Sequence, residues 1–360
     1  MTDGDATYEV VVVGGGPAGL TTALYTTRLG HATAVVDRGG GRAAMMQDTH
    51  NVIGVPESVS GAELLRTARD QLESHGTDLV RGFVTDVSRA AEPGDDGDDA
   101  AHDSAREEPR FHVETADATY AAERVVLATG FADVRPDPPL PRTGRGLHYC
   151  LHCDANLFVD EPVYVMGHGD AAAHVAMIML NVTDDVDLLL RGEEPTWSAE
   201  TGEQLAGHPV DVIEAEVTGV ENGEDGWLEA LTFADGTSRR YRGGFALYGA
   251  DYHSDLAAGL GCPLNDDGTV AVDDHGETAV PGVYAVGDLT PGHNQIPVAM
   301  GEGAEAGLAI HKDLRTYPRS TEWLAEHGPV DPADVADLPD AVRDAARDSR
   351  ADAVEAPGDD

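Results

Sequence analysis

The chain has 360 residues, enough for two domains, and a formal charge of −43 from 66 acidic against 23 basic side chains. Lys312 is its only lysine and the acid is spread along the whole length, which excludes a general nucleic-acid footprint and fits a halophilic, salt-rich cytoplasm where carboxylates keep a surface hydrated. No apolar run is long enough to span a bilayer, no N-terminal stretch reads as a secretory signal, and three cysteines do not make a secreted disulfide framework.

The first predicted element is a β-branched apolar strand, Tyr8 to Val13, that stops at Gly14-Gly15-Gly16-Pro17-Ala18-Gly19 and resumes as a helix through Leu29. A second strand, Thr33 to Val36, ends at Asp37, completing a β-α-β unit of mononucleotide-binding length. Gly14, Gly16 and Gly19 match G-x-G-x-x-G between strand and helix: the first makes the turn, the second admits a pyrophosphate to the backbone, and the third lets helix and strand pack closely. Asp37 stands where a carboxylate accepts hydrogen bonds from an adenosine ribose, and its charge argues for FAD or NAD and against NADP at this turn.

Further along, Phe83 to Val87 and Phe111 to Glu114 read as strands flanking a solvated, disordered loop between Arg89 and Arg110. The strand Arg124 to Leu127 ends at Ala128-Thr129-Gly130, and the proline-rich stretch Arg135 to Pro141 reads as an interdomain linker. Next comes Tyr149-Cys150-Leu151-His152-Cys153-Asp154, whose C-x-x-C can form a small-loop disulfide that cycles. A zinc site would use the same two cysteines with His148 or His152, but no second C-x-x-C or H-x-x-H supplies the remaining ligands, so no metal is expected. Cys262, in Gly261-Cys262-Pro263, reads as a structural residue.

The scaffold then repeats itself. A strand from Pro162 to Met166 runs into Gly167-His168-Gly169-Asp170-Ala171-Ala172 and a small-residue helix, Ala173 to Leu180. A strand near Val186 to Leu190 and several short strands with turn signals follow. Val283 to Val286 then ends at Gly287-Asp288, and a helix runs from about Ala299 to Leu314. From Thr316 onward the composition predicts one or two surface helices and a frayed acidic end.

Taken in order, Gly14 to Gly19, Asn51 in Thr49-His50-Asn51-Val52-Ile53-Gly54, Ala128-Thr129-Gly130, the Cys150/Cys153 pair, Val286-Gly287-Asp288, His293-Asn294-Gln295-Ile296 and Gly301-Glu302-Gly303 resemble the low-molecular-weight thioredoxin reductases over about residues 8 to 315. The resemblance implies an α/β fold of two Rossmann-like, three-layer β/β/α dinucleotide-binding domains, the second inserted into the first. An FAD-binding domain would comprise 1–133 plus 252–315, an NAD(P)-type domain carrying the C-x-x-C would span 134–251, and 316–360 would be an acidic, partly disordered extension. It also implies that Asp288 holds the ribityl chain, that Gln295 and Ile296 approach the isoalloxazine, and that Asn51 lines its edge. Pro17, Ala18, Ala128, Thr129, Gly130 and Gly287 would complete the FAD site. Cys153 would face the flavin, Cys150 would attack a partner disulfide, Asp154 would move the proton, and the protein would be a homodimer whose domains rotate.

Two departures stand out. Where that family grips a 2′-phosphate with His-Arg-Arg, this chain reads Leu190-Arg191-Gly192-Glu193-Glu194, which repels NADPH. Arg42 replaces the glutamine expected beside the flavin. A nicotinamide nucleotide would have to use Gly167, Gly169, Ala172 and Arg191, in a turn crowded by His168 and Asp170. The leading expectation is an FAD-dependent reductase of a thioredoxin or glutaredoxin-like disulfide, fed by NADH, NADPH or reduced ferredoxin. The alternatives are a flavin oxidoreductase with a non-disulfide acceptor, of the ferredoxin–nicotinamide reductase kind, and a non-enzymatic flavin redox sensor.

Overall fold

In the computed structural model, residues 6–90, 110–136, 143–335 and 338–355 are described. The loop expected between Arg89 and Arg110, most of the linker expected between Arg135 and Pro141, and the acidic end beyond Glu355 lie outside them.

The β-branched runs at the start form β1 (Ala6–Val13) and β2 (Thr33–Asp37) around α1 (Pro17–Arg28), with Pro17 in the first turn, where its missing N–H costs nothing. Then come α2 (Gly61–His75), β3 (Asp78–Arg81), β4 (Val84–Arg89), β5 (Phe111–Thr115), β6 (Thr119–Leu127) and β7 (Phe131–Asp133). The cysteine motif forms α3 (Leu151–Asp154). It is followed by β8 (Val163–Met166), α4 (Asp170–Met179), β9 (Val186–Leu189), α5 (Ala199–Ala206) and β10 (Asp211–Ile213). The short strands are β11 (Val217–Asn222), β12 (Leu228–Phe233), β13 (Ser238–Arg240), β14 (Gly243–Ala246) and β15 (Ala250–Tyr252). The chain closes with α6 (Asp255–Gly259), β16 (Val283–Ala285), α7 (Ile296–Leu314), α8 (Thr321–His327) and α9 (Asp340–Glu355).

These elements divide into two compact units, one of residues 1–44, 62–131 and 252–360, the other of residues 45–61 and 132–251. In the first, β3, β2, β1 and β6 run parallel, β16 lies parallel beside the end of β6, and β5 and β4 continue antiparallel. Val10, Val11 and Val12 are fully buried, as a strand covered on both faces requires. Val13 pairs with Val36 on one side and Leu127 on the other, so Gly14, Asp37 and Ala128 emerge together at the carboxyl ends of the strands, where α/β sheets bind ligands. Helix α7 crosses α1 on its glycines: a methyl group at Gly303 would run into the Ala18 carbonyl, and one at Gly307 would lie 2.7 Å from Tyr25 Cβ. The C-terminal segment lies against the ends of α1 and α2, Leu338 over Gly30 and Ala341 over Gly76.

The second unit is a four-stranded parallel sheet, β10-β9-β8-β14, with a three-stranded antiparallel sheet, β11-β12-β13. Every residue of β8 is fully buried. Asp187 on β9 is also buried; burial pushes its carboxyl above the usual range, against the bonds it receives from the Tyr241 hydroxyl and Arg239. Among the described residues, no helix is long and apolar enough to cross a membrane.

Candidate active site

The first glycine turn is built by close approach. Gly14 has φ +112°, and a side chain there would run into the Ala128 carbonyl; one at Gly19 would run into the Gly14 carbonyl. Gly16 caps α1 without a side-chain capping bond and has open space where a Cβ would stand. The leading N–H groups of a twelve-residue helix thus meet a side-chain-free cradle at the positive end of its dipole, which fits a pyrophosphate. Asp37 packs beside Gly15, and its Oδ2 accepts a 2.6 Å hydrogen bond from Arg69 Nη2. Arg69 also reaches the Gly15 carbonyl at 3.4 Å.

The same unit gathers the later residues around this turn. A methyl group at Gly287 would lie 2.7 Å from Ala18 Cβ and 3.7 Å from Ala299 Cβ, and one at Gly130 would lie 4.0 Å from Asp288 Cβ. Thr129 is tied to His253 by two hydrogen bonds, its hydroxyl donating to the His253 carbonyl at 2.8 Å and its carbonyl meeting His253 Nδ1 at 2.9 Å. Arg42 lies 4.8 Å over the Phe131 ring, with Nη1 3.8 Å from Asp288 Oδ2. Gln295 caps α7 and Ile296 is buried in its first turn. Glu302 accepts from Gly287 N at 2.8 Å and from the Thr290 hydroxyl at 3.3 Å; burial nonetheless raises its carboxyl above the usual range. Asn51 belongs to the 45–61 segment of the other unit.

In the second unit Gly167 has φ +145°, and a side chain there would lie 2.7 Å from the Leu247 carbonyl and 2.8 Å from Ala172 Cβ. Gly169 caps α4 without a side-chain bond. Asp170 is committed to α5: it accepts from Ser198 N at 3.0 Å and from the Thr201 hydroxyl at 2.5 Å, and these bonds hold its carboxyl below the usual range. Thr196 N donates to the His168 carbonyl at 2.7 Å, so the stretch after β9 folds back on the turn. Arg191 adopts a left-handed φ of 57°, and Glu193 and Glu194 are exposed beyond it.

Cys150 and Cys153 form a disulfide with a Cα separation of 5.3 Å. The motif lies at a helical turn, because Cys150 caps α3 and its Sγ accepts from Cys153 N at 3.2 Å. A four-residue helix is too short to leave a period in the sequence. Asp154, the next residue, is held from two sides: His148 Nδ1 donates to Oδ2 at 2.7 Å, and His50 Nδ1 lies 3.4 Å from Oδ1. His148 is only 3% exposed, set edge-on to Phe158 and stacked on Trp227, and its Nε2 is buried without a partner. His50 is a quarter exposed, on a loop pinned by Thr49, whose N–H and hydroxyl donate to the carbonyls of Glu57 and Val59. Cys262 is buried and free, with its Sγ 3.4 Å from the Thr278 hydroxyl.

Sequence reasoning misses Arg69, Glu302 and the paired histidines on Asp154. His148 stands two residues from the C-x-x-C, where the sequence suggests only a metal ligand; among the described residues, no cluster suited to a metal occurs. Nothing local marks Arg69, whose partner is on another element.

A parallel-sheet unit with a side-chain-free glycine turn, and a second such unit carrying a cystine beside a fixed carboxylate, define a dinucleotide-dependent disulfide oxidoreductase. The chain belongs to the pyridine nucleotide-disulphide oxidoreductase family, which residues 8–303 match. It is 31% identical over 332 residues to thioredoxin reductase from Aquifex aeolicus, covering 87% of this chain and 95% of that protein. It is 30% identical over 320 residues to an alkyl hydroperoxide reductase protein from Pseudomonas putida, 85% of this chain but 58% of that longer protein. The crystal structure of thioredoxin reductase from Streptococcus pyogenes superposes with a TM-score of 0.76 at 27% identity, covering 87% of this chain and 99% of that one.

Proposed function

We infer that this protein is an FAD-dependent disulfide reductase of the thioredoxin-reductase type, acting in the cytoplasm as a homodimer on a thioredoxin or glutaredoxin-like protein. The observation that carries the reading is the Cys150–Cys153 disulfide with Asp154 fixed beside it. Bound FAD supplies two-electron chemistry between a reductant and a disulfide. Gly14, Gly16, Gly19 and the start of α1 would hold its pyrophosphate, Asp37 its adenosine ribose, and Asp288 its ribityl chain, with Arg42, Thr129, Gln295, Ile296 and Asn51 around the ring system.

The Cys150–Cys153 bond takes up two electrons and two protons to become two thiols. The Cys150 thiolate then attacks a sulfur of the partner's disulfide, forming a mixed disulfide and releasing one partner thiolate. Cys153 gives its proton to Asp154 and attacks Cys150 Sγ, which restores the cystine and releases the second partner thiolate. A pyridine nucleotide entering at Gly167, Gly169 and Ala172 would meet Glu193 and Glu194 beyond Arg191, which favours NADH over NADPH as donor.

Cys150→Ser is expected to abolish reduction of thioredoxin while leaving the flavin reducible by dithionite, measured by anaerobic turnover and flavin bleaching. Retained thioredoxin reduction in that variant would refute the reading. If neither nicotinamide bleaches the flavin, a protein donor such as reduced ferredoxin takes that place.

A further inference from the structure

Asp154 is not a lone carboxylate. One oxygen accepts from His148, six residues before it, at 2.7 Å; the other lies 3.4 Å from Nδ1 of His50, on a loop about a hundred residues earlier; and the two imidazoles differ in surroundings. His148 is walled in: Phe158, Trp227 and Phe245 ring it at centroid distances of 5.2, 6.1 and 6.0 Å. Its backbone is fixed as well, with N–H donating to the Gly244 carbonyl at 2.8 Å and its carbonyl accepting from Ala246 N at 2.9 Å. A carboxylate oxygen can only accept, so Nδ1 carries the proton, and Nε2 faces no acceptor to which it could pass one. This imidazole can orient Asp154 but cannot lead a proton away. His50 has the opposite character, with its ring partly open to water and its Nδ1 at an ion-pair distance of 3.4 Å from the remaining carboxylate oxygen.

We propose that His50 is the proton relay of the disulfide site, exchanging protons between Asp154 and solvent, and that His148 is a positioning residue that fixes the carboxylate to which the relay is coupled. The inference rests on the reading that Cys150 and Cys153 cycle with Asp154 as their proton acceptor. Closing the cystine requires the Cys153 proton to leave: it passes to Asp154, from Asp154 to His50, and from His50 to water, so that Asp154 is a carboxylate again for the next cycle. The titratable groups brought to Asp154 are His50 and His148, with Cys150 and Cys153 on the same turn, His152 exposed on that turn, and Asp48 two residues before His50.

The test uses the full-length protein, reduced and freed of excess thiol, with dithiobis(nitrobenzoate) as oxidant in stopped flow. Cys150 thiolate attacks the reagent and releases one thionitrobenzoate; Cys153 then attacks the mixed disulfide, loses its proton and releases the second. His50→Gln is expected to slow the second release by about tenfold or more, to flatten its pH profile, and to recover when free imidazole is added. His148→Asn is expected to slow the same phase without altering the shape of its pH profile and without recovery in imidazole. Because His50 lies on a surface loop, His50→Ala provides a second folded background for the same rescue. A His50→Gln phase that superposes on the parent across the pH range overturns the proposal, and so does a slowed phase that imidazole leaves unchanged. Failure of the underlying reading is separate, since it appears as thioredoxin reduction that survives Cys150→Ser.

Discussion

At the end of the first unit's sheet remote from the glycine turn, His31 links two elements through a chain of short polar contacts. Its Nδ1 meets Glu9 Oε1 at 2.8 Å and its Nε2 meets His311 Nδ1 at 2.9 Å. Burial first, then His31 and Arg315, hold the His311 imidazole below its ordinary value of 6.5. The folded state therefore prefers neutral His311, and the unfolded chain binds the proton more readily. The stability this provides is complete above 6.5 and is lost as pH falls from 6.5 through the lower folded value. Thermal melts from pH 8 down to 5 should show a fall that His311→Gln reduces; Glu302, with its raised carboxyl, works in the opposite sense at lower pH. Such side-chain chains are hard to read from sequence, because each needs partners that only the fold brings near. The turn of Gly14, Gly16 and Gly19, and Asp37 at the strand end beside it, are legible because both depend on spacing within one β-α-β unit. The grip of Arg69 on Asp37 and the approach of His50 to Asp154 depend on α2 and on the loop at Thr49-His50-Asn51, where nothing local names the partner.

Among the elements, those with a strong period are legible to within a few residues: the helix after the first turn, the strand before the second, and α7, whose start falls three residues earlier than its apolar period suggests. Helix α2 is not among the elements expected from the sequence, although Leu65, Ala68 and Leu72 recur at helical spacing along its charged sequence and Leu65 and Leu72 are buried. On the proposed reading, the stretch after β9 would set the donor preference. The two exposed carboxylates there would oppose a 2′-phosphate by about 1 kcal/mol per charge pair at close range in water. Replacing both, Glu193→Arg with Glu194→Arg, is expected to move the NADPH-to-NADH ratio of kcat/KM upward by about tenfold or more, with little effect on flavin content. An unchanged ratio would place the nucleotide elsewhere.

For the whole molecule, a charge of −43 makes self-repulsion the dominant long-range term in dilute buffer. Raising KCl shortens the screening distance from about 10 Å at 0.1 M to about 3 Å at 1 M. The melting temperature should therefore rise with salt, on the order of 5–10 °C by 2 M. A flat salt profile in calorimetry would mean that the acid is balanced locally. The first unit is also assembled from both ends of the chain: β6 is flanked by β1 and by β16, and β16 is encoded only after all of residues 132–251. During synthesis at about 5–20 residues per second, Val283 leaves the ribosome roughly 8–30 s after Leu127. For that interval the nascent β6 has an apolar edge with no strand to pair it, and α1 waits for α7, while the inserted unit already has all of its sequence. The time of greatest aggregation risk is thus written into gene order, and a host that expresses this protein well must either translate this stretch quickly or shelter the unfinished sheet.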